Sequence, residues 1–373
     1  MSPIAAIDSS DVAAEEPADS ASAEPVPEFE FGGALRLNYA WQNYNDARKD
    51  RVGDFGFEVF MATVNASFED IFVSAQYRWY ADFQTIRYGF IGFQFSPKLE
   101  GHVGIHQAPF GILPWASHSF WFGATYYMGF EDDYDAGLKL IYQDGQWDLQ
   151  AAFYKNSEYL DTSRDERYSF DLVTGGEQAN SEVNQWNARA ARRLSWSSDG
   201  YVTVGASGMY GGIYNDSTTR TGNRWAGALH TDFHFGPWNL QFQGIRYRFD
   251  PENQPGVEGS TVQFGAFGST FLMTSDASVG TFNVARDFRP DWRFLETVRC
   301  YADMSRVFPA GEDTHTSTQI VTGCMLVKGG LYTFVDWITG QNMWFAGGPG
   351  IGLSDPNSGD WNGRLNINVA YYF

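Results

Sequence analysis

Apolar and polar residues alternate along the chain from Phe29 onward, in segments of about 9–14 residues that end at Gly, Asn, Asp, Ser or Pro. In the final segment, every second residue from Leu365 to Phe373 is apolar or aromatic. Arg364 and Asn366 fall on the opposite face of the same segment. No helical apolar stripe of useful length appears, so the period of two dominates. Segments of this length and period are typical of strands that cross a bilayer at a tilt.

Aromatic residues cluster near the ends of these segments, as at Trp79, Trp147, Trp225 and Trp238. Transmembrane barrels carry such aromatic girdles at both membrane interfaces. A soluble β-sandwich or propeller also alternates, but this chain has no blade-length repeat and ends in an aromatic segment. The pattern therefore predicts an all-β, antiparallel transmembrane β-barrel.

The strand count follows from the alternation of short turns with long loops, because bacterial barrels have an even number of strands. Counting 261–273 as a wall strand gives seventeen strands and breaks the alternation. If 251–276 is instead one outer loop, a strand starts near Ala277 and Arg289–Trp292 is a short turn. The count is then sixteen, which places both termini on one side and leaves room for an aqueous channel.

The composition agrees with a wall that is apolar outside and polar inside. Aromatic residues make up 17% of the chain, glycines number 40, and only 19% of residues are charged. The formal net charge of −20 excludes a nucleic-acid-binding protein, because phosphate contacts need a basic face. The longest stretch without a charge, 101–130, contains prolines and histidines and does not predict a transmembrane helix.

The first 27 residues are rich in Ala, Pro, Ser and acids, and we predict a disordered acidic tail (1–27) followed by the barrel (28–373). Eight acids and no base lie between Asp8 and Glu30. No signal-peptide pattern is visible, so the expectation is an exported protein whose leader has been removed.

Two stretches carry a family pattern. Residues 104–111 read Gly-Ile-His-Gln-Ala-Pro-Phe-Gly, and residues 361–373 form a last strand that ends in aromatics and Phe. Both stretches, together with 293–308, resemble the phosphate-selective porin O and P family, which has a PFG motif at a strand end before a long loop. The resemblance extends over about residues 30–373.

The resemblance implies a homotrimer of 16-stranded barrels in the outer membrane of a Gram-negative bacterium, in contact with lipid and lipopolysaccharide. It also implies a third loop, residues 110–133, that folds into the barrel and narrows the pore. The residues assigned to this constriction are Pro109, Phe110, Trp115, Trp121, Glu131, Asp132 and Asp133. The chain departs from phosphate-specific members because none of its five lysines lies in this loop.

The face opposite the lipid stripe should line the channel. Alternation and proximity assign the following residues to the pore: Arg36, Arg78, Arg87, Lys139, Arg189, Arg193, Arg299, Tyr301, Arg364, Asp135, Asp232 and Asp303. Arginine stays charged and binds carboxylate or phosphate bidentately, so rows of arginine favour anions. The alternative is that these charges only pair with one another and keep the wall wet.

The acidic run from Glu131 to Asp135 has two interpretations. Hard cations such as Ca²⁺ bind carboxylate oxygens, but the run has no EF-hand spacing. The favoured interpretation is a latch that fastens the third loop to arginines of the wall. No metal and no cofactor are assigned.

Two histidine patterns predict neither a zinc site nor a catalytic triad. His102 and His106 are four residues apart, which is about 13 Å along a strand and too far to share one zinc ion. His118 lies between two serines, but no acid-oriented triad is readable from the sequence. The protein is therefore not expected to be an enzyme.

The two cysteines predict a cross-strand disulfide. Cys300 and Cys324 each lie twelve residues from position 312, so a symmetric hairpin places them opposite each other, within disulfide range. An oxidising periplasm would allow the bond to form. A bulge that shifts the register by one residue would leave two free thiols on opposite faces.

The sequence as a whole predicts an outer-membrane porin for passive diffusion of small polar solutes, with a preference for anions such as phosphate or carboxylates. Two alternatives remain at this point. A sugar or neutral-nutrient porin would use the aromatic residues of the third loop to stack on sugar rings. A structural or adhesive barrel would bind surface partners through its acidic loops and transport nothing.

Overall fold

The structure, a computed structural model, describes residues 26–373. All but the last two residues of the predicted acidic tail lie outside this range. The strands are β1 (Glu28–Gln42), β2 (Asp54–Phe68), β3 (Ile71–Tyr80), β4 (Gln84–Ser96), β5 (Leu99–Gln107), β6 (Tyr134–Gln143), β7 (Trp147–Ser157), β8 (Asp171–Leu172), β9 (Asn180–Ser195), β10 (Gly200–Asn215), β11 (Arg220–Phe235), β12 (Trp238–Asp250), β13 (Thr261–Ala266), β14 (Ser269–Thr274), β15 (Asp276–Phe288), β16 (Thr297–Pro309), β17 (Ser317–Lys328), β18 (Leu331–Gln341), β19 (Gly350–Ile351) and β20 (Trp361–Tyr372). The helices are α1 (Asp46–Asp50), α2 (Ala124–Tyr127) and a 3₁₀ turn at Trp344–Ala346.

Sixteen of these strands form one closed antiparallel barrel, as the sequence predicts. The first strand, β1, pairs with both β2 and β20, so the chain closes the barrel at its two ends. The short turns between strands lie at one end of the barrel, which we call the short-turn end; the opposite end is the long-loop end. At the short-turn end, Gly236 adopts φ +52°, which lets two residues join β11 to β12.

Exposed and buried side chains alternate along the strands of the wall, as the sequence pattern predicts. Along β20, Leu365 and Ile367 are partly exposed on the outer face, while Asn366 and Asn368 are fully buried on the inner face. On β11, Leu229 is 71% exposed outside and His230 is buried inside. An apolar outer face and a polar inner face are the arrangement of a barrel whose wall contacts lipid.

One loop prediction changes in detail. Residues 251–275 are indeed no part of the barrel wall, but they contain the hairpin of β13 and β14. Within residues 26–373, no helix is both long and apolar enough to cross a membrane.

A second sheet lies inside the mouth at the long-loop end. It has four short strands in the order β19, β14, β13 and β8, supplied by three different loops. Its buried side chains Phe264 and Met273 belong to the same apolar cluster as Ile213 and Phe249 of the barrel wall. Alternation predicts polar inner faces throughout; here the inner face is apolar because a packed insert covers it.

Candidate functional site

A cavity of about 1200 Å³ is bordered by the inner wall of β1–β4, by the third loop, and by inward-facing residues of β11, β12, β16 and β18. Strand β1 borders it from Glu30 to Gln42, nearly its full length, and Arg48 borders it beyond the end of that strand. Pro114 to Phe122 of the third loop border the same space. The cavity therefore follows β1 from the short-turn end toward the long-loop end.

Six arginines border the cavity, and four of them have carboxylate partners. The pairs are Arg36 with Glu58 at 2.7 Å, Arg48 with Asp54 at 3.4 Å, Arg87 with Asp132 at 2.6 Å, and Arg299 with Asp287 through two bonds of 2.6 and 2.8 Å. These pairs neutralise most of the charge that the four arginines bring.

Arg78 and Arg364 border the cavity without a carboxylate within 4.0 Å among the described residues. Arg78 donates to Gln76 Oε1 at 2.8 Å and lies 4.4 Å from the ring centre of Tyr168. Arg364 lies 3.9 Å from the ring centre of Trp121. These neutral contacts hold the two guanidinium groups in place and leave their positive charge uncompensated.

Six of the twelve predicted pore residues border the cavity: Arg36, Arg78, Arg87, Asp232, Arg299 and Arg364. The other six point inward but do not border this cavity, so their pore-lining position stays a prediction: Lys139, Arg189, Arg193, Tyr301, Asp135 and Asp303. All but Arg193 are buried, most of them beneath inserted loops, whereas Arg193 is exposed near the short-turn end against the ring of Tyr201. Alternation gives the face of a side chain, but not whether a loop covers that face.

The third loop occupies residues 108–133 and folds into the barrel, as predicted. The loop runs along the inner wall and meets successive strands in their order along the chain. On β9, Arg189 donates to the carbonyl of Gly111 at 2.7 Å. Gln243 then accepts from the Ile112 amide at 2.8 Å, and Asn283 donates to the Ala116 carbonyl at 2.7 Å. The buried polar wall residues thus satisfy the backbone of the loop, which would otherwise be desolvated without partners.

Asp303 is the principal attachment point of this loop. Its Oδ2 accepts from the His118 amide at 2.6 Å, from the Ser119 amide at 3.0 Å and from Ser117 Oγ at 3.0 Å. Its Oδ1 contacts Nδ1 of His118 at 2.8 Å. Nε2 of the same histidine contacts Oδ1 of Asn239, so His118 has no serine partner. The geometry around His118 therefore lacks a Ser-His-Asp relay.

The acidic run at the end of the third loop divides into three environments. Asp132 forms the predicted latch with Arg87. Glu131 contacts no arginine; it accepts from Thr125 Oγ1 at 2.6 Å and Gln243 Nε2 at 2.8 Å, and burial raises its pKa to about 7. Asp133 forms no side-chain hydrogen bond among the described residues, and burial raises its pKa well above the usual range. Of the four acids between Glu131 and Asp135, only Asp132 therefore has an arginine partner among the described residues.

The remaining constriction residues build an aromatic layer. Phe110 packs on Phe130 with ring centres 5.5 Å apart, and Trp121 packs on Phe345 at 5.6 Å. Trp115 meets Phe122 edge to face at 5.3 Å. Pro109 is buried next to Phe110. The predicted constriction loop therefore has an apolar core of its own, which fixes the shape of the surface facing the cavity.

His102 and His106 lie closer together than the spacing along a strand suggests. Their ring centres are 6.0 Å apart, because both side chains point inward and Gly104 between them adopts φ +135°. The prediction that the two rings lie too far apart to share a ligand is therefore wrong. Nδ1 of His106 contacts the Tyr154 hydroxyl at 3.0 Å, and the pair has no third carboxylate or cysteine that completes a metal-ligand group in residues 26–373.

The structure joins Cys300 and Cys324 by a disulfide, the pairing that the sequence predicts. The two residues stand directly opposite each other in β16 and β17, with no bulge between these strands. Cys300 lies between the inward-facing Arg299 and Tyr301, so the bond lies on the outer face of the wall.

No family model matches the chain, and no curated protein matches it in sequence. The fold is similar to solved outer-membrane proteins. For OmpT of Vibrio cholerae the identity is 14% and the TM-score 0.58, with 93% of this chain and 98% of that one covered. For an anion-selective porin from Comamonas acidovorans the identity is 10% and the TM-score 0.56, with 93% of this chain and 100% of that one covered. For OmpF of Salmonella typhi with daunomycin the identity is 11% and the TM-score 0.62, with 92% of this chain and 97% of that one covered. At these identities the likeness establishes the porin-type barrel fold, and the resemblance to the phosphate-selective porin O and P family stays a prediction.

Proposed function

We propose that this protein is an outer-membrane channel for passive diffusion of small polar solutes, with a preference for anions. The observation that carries the proposal is the cavity along β1–β4. Six arginines border it, and two of these, Arg78 and Arg364, have no carboxylate partner among the described residues.

The charge arrangement supports anion preference. A narrow aqueous path beside low-dielectric walls strengthens the field of each uncompensated charge and raises the local concentration of counter-ions. Arg78 and Arg364 supply that field, whereas the acids that border the cavity are mostly occupied: Glu58 and Asp132 bind arginines, and Asp232 contacts His234. Much of the net charge of −20 lies elsewhere, including the acidic segment 1–27.

The neighbours in fold agree with this proposal in three respects. One is described as an anion-selective porin, several as outer-membrane proteins, and one as an OmpT in trimer form. We extend these features to this chain as parts of the proposal: an outer-membrane location, contact with lipid and lipopolysaccharide, and assembly as a homotrimer. The substrates are then phosphate-like or carboxylate solutes that match arginine chemistry.

Planar-bilayer recordings in asymmetric KCl test the channel and its preference together. The reversal potential of the unmodified protein should indicate anion preference, and the double variant Arg78→Gln/Arg364→Gln should shift it toward cations. Arg286→Gln is the matched control, because Arg286 is exposed on the outer face of β15 against Trp238. A silent protein would favour the structural or adhesive barrel, and an unchanged reversal potential in the double variant would refute the role of these arginines.

A sugar channel is the second candidate, because Phe120, Trp121 and Phe122 all border the cavity. Aromatic faces of this kind stack on apolar faces of ligands. Liposome swelling compares the two candidates directly. Faster entry of a neutral hexose than of a hexonate of similar size would favour the sugar channel, and the reverse order would favour the anion channel.

A further inference from the structure

A group of buried charges lies behind the third loop, away from the cavity. It contains five carboxyl groups and two guanidinium groups, and each of the seven residues is more than nine-tenths buried: Asp133, Asp135, Glu158, Asp171, Glu182, Arg167 and Arg224. They come from the end of the third loop, from β6, from the loop between β7 and β9, and from the inner faces of β9 and β11. No part of the proposed channel function uses them.

Three of these acids converge on one point. One carboxylate oxygen from each of Asp133, Asp135 and Asp171 lies within 4.8 Å of the other two. Two oxygens on opposite sides of a single Ca²⁺ lie about 4.6–5.2 Å apart, since each Ca–O distance is about 2.3–2.6 Å. The three oxygens are therefore spaced to contact one ion of this size.

Each of these three carboxyl groups also has an oxygen without a hydrogen-bond donor. The Oδ1 atoms of Asp133, Asp135 and Asp171 are buried without any partner among the described residues. The side chain of Asp133 forms no hydrogen bond at all there, although only 8% of this residue is exposed. Buried carboxylate oxygens normally accept hydrogen bonds, so three neighbouring carboxyl groups with orphaned oxygens indicate a missing electropositive partner.

The two arginines do not supply that partner. Arg167 donates to Oδ2 of Asp171 at 2.9 Å and lies 3.5 Å from Glu158. Arg224 binds Glu182 and Gln185. Arg167 thus binds one oxygen of Asp171 and leaves its Oδ1 without a partner, while Arg224 binds neither Asp133 nor Asp135. Two positive charges face five carboxyl groups, which leaves three acids without counter-charge.

We propose that Asp133, Asp135 and Asp171 bind one divalent cation of the calcium class, which fastens the third loop to the barrel wall and to the neighbouring loop. The ligands are all oxygens and include neither histidine nor cysteine, which favours a hard cation over zinc. Each ligand comes from a different segment, so the ion cross-links the third loop, β6 and β8. The inference does not depend on channel activity, because binding and stability report on it directly.

The test uses full-length protein, refolded without lipopolysaccharide and treated with EDTA, as unmodified chain and as the variants Asp133→Asn and Asp171→Asn. Isothermal titration calorimetry with Ca²⁺ should show one binding site per chain in the unmodified protein. In either variant the affinity for Ca²⁺ should fall by about tenfold or more. The matched control is Glu177→Gln, an exposed acid of the same loop as Asp171. It should bind Ca²⁺ as the unmodified protein does.

Thermal unfolding separates an ion site from a merely structural role. With Ca²⁺ present, the unmodified protein should unfold at a higher temperature than Asp133→Asn. In EDTA the order should reverse or vanish, because the amide removes a buried charge that lacks a partner. The proposal fails if EDTA leaves the unfolding temperature of the unmodified protein unchanged and if Asp133→Asn binds Ca²⁺ no more weakly than the unmodified protein does. The buried carboxyl groups would then be neutralised by protons alone. Should a variant not fold, the EDTA and Ca²⁺ comparison on the unmodified protein and the Glu177→Gln control decides the question.

Discussion

Replacing Asp303 by alanine should detach residues 117–119 of the third loop from the barrel wall. This carboxylate accepts from two backbone amides, one hydroxyl and the ring of His118, at distances of 2.6 to 3.0 Å. The His118 amide has no other acceptor, whereas the Ser119 amide also reaches Ser117 Oγ at 3.1 Å. The loss should therefore be concentrated at residue 118.

The size of the effect follows from these bonds. A hydrogen bond to a charged group contributes roughly 1.5–3 kcal/mol, and each 1.4 kcal/mol corresponds to about a factor of ten in an equilibrium constant. Opening of the segment around His118 should become about tenfold to a hundredfold more frequent in Asp303→Ala. The Ala124 amide, which donates to Ser305 Oγ at 2.7 Å, should keep its protection.

Hydrogen–deuterium exchange read by mass spectrometry measures both regions in one experiment. Peptides that contain His118 should exchange faster in Asp303→Ala, while peptides that contain Ala124 serve as the internal reference. Asp287→Ala is the matched control, because that inward carboxylate on the neighbouring strand binds Arg299 and not the loop. Unchanged exchange around His118, in a variant with normal circular dichroism, would refute the view that Asp303 holds this segment.

Three further predictions concern the loop, the disulfide and the latch. Deleting 114–128 should raise single-channel conductance, because this segment borders the cavity opposite β1–β4; equal conductance would show that the loop does not limit flow. Alkylation of unreduced protein should add no carbamidomethyl group, since Cys300 and Cys324 are bonded; mass spectrometry that finds two such groups would contradict the bond. Arg87→Gln should destabilise the folded protein by about 3 kcal/mol, because it leaves the buried Asp132 carboxylate without its counter-charge; Asp132→Asn should cost less, because Arg87 borders the cavity. In thermal or denaturant unfolding the double variant should recover part of that loss, and strictly additive effects would mean that the pair is not coupled.

The sequence alone determined the wall of this protein. A period of two over many segments assigns each side chain to the lipid or the inner face, because a strand offers only these two directions. The even strand count then resolved 251–276 as a loop and placed both termini at one end. The equal spacing of Cys300 and Cys324 from the centre of their hairpin predicted the disulfide, because the register of a hairpin without bulges is set by symmetry.

Only the tertiary structure decided what fills the barrel. Arg78 and Asp303 both point inward by alternation, yet one borders the cavity and the other lies beneath the third loop. The cluster of Asp133, Asp135 and Asp171 unites residues from two loops and a strand, and nothing in the sequence relates residue 171 to the acidic run before β6. Periodicity is a local property of one strand, whereas the path of a loop inside the barrel depends on contacts between residues distant in sequence. That path sets where water remains, which charges stay uncompensated, and hence where the candidate channel lies.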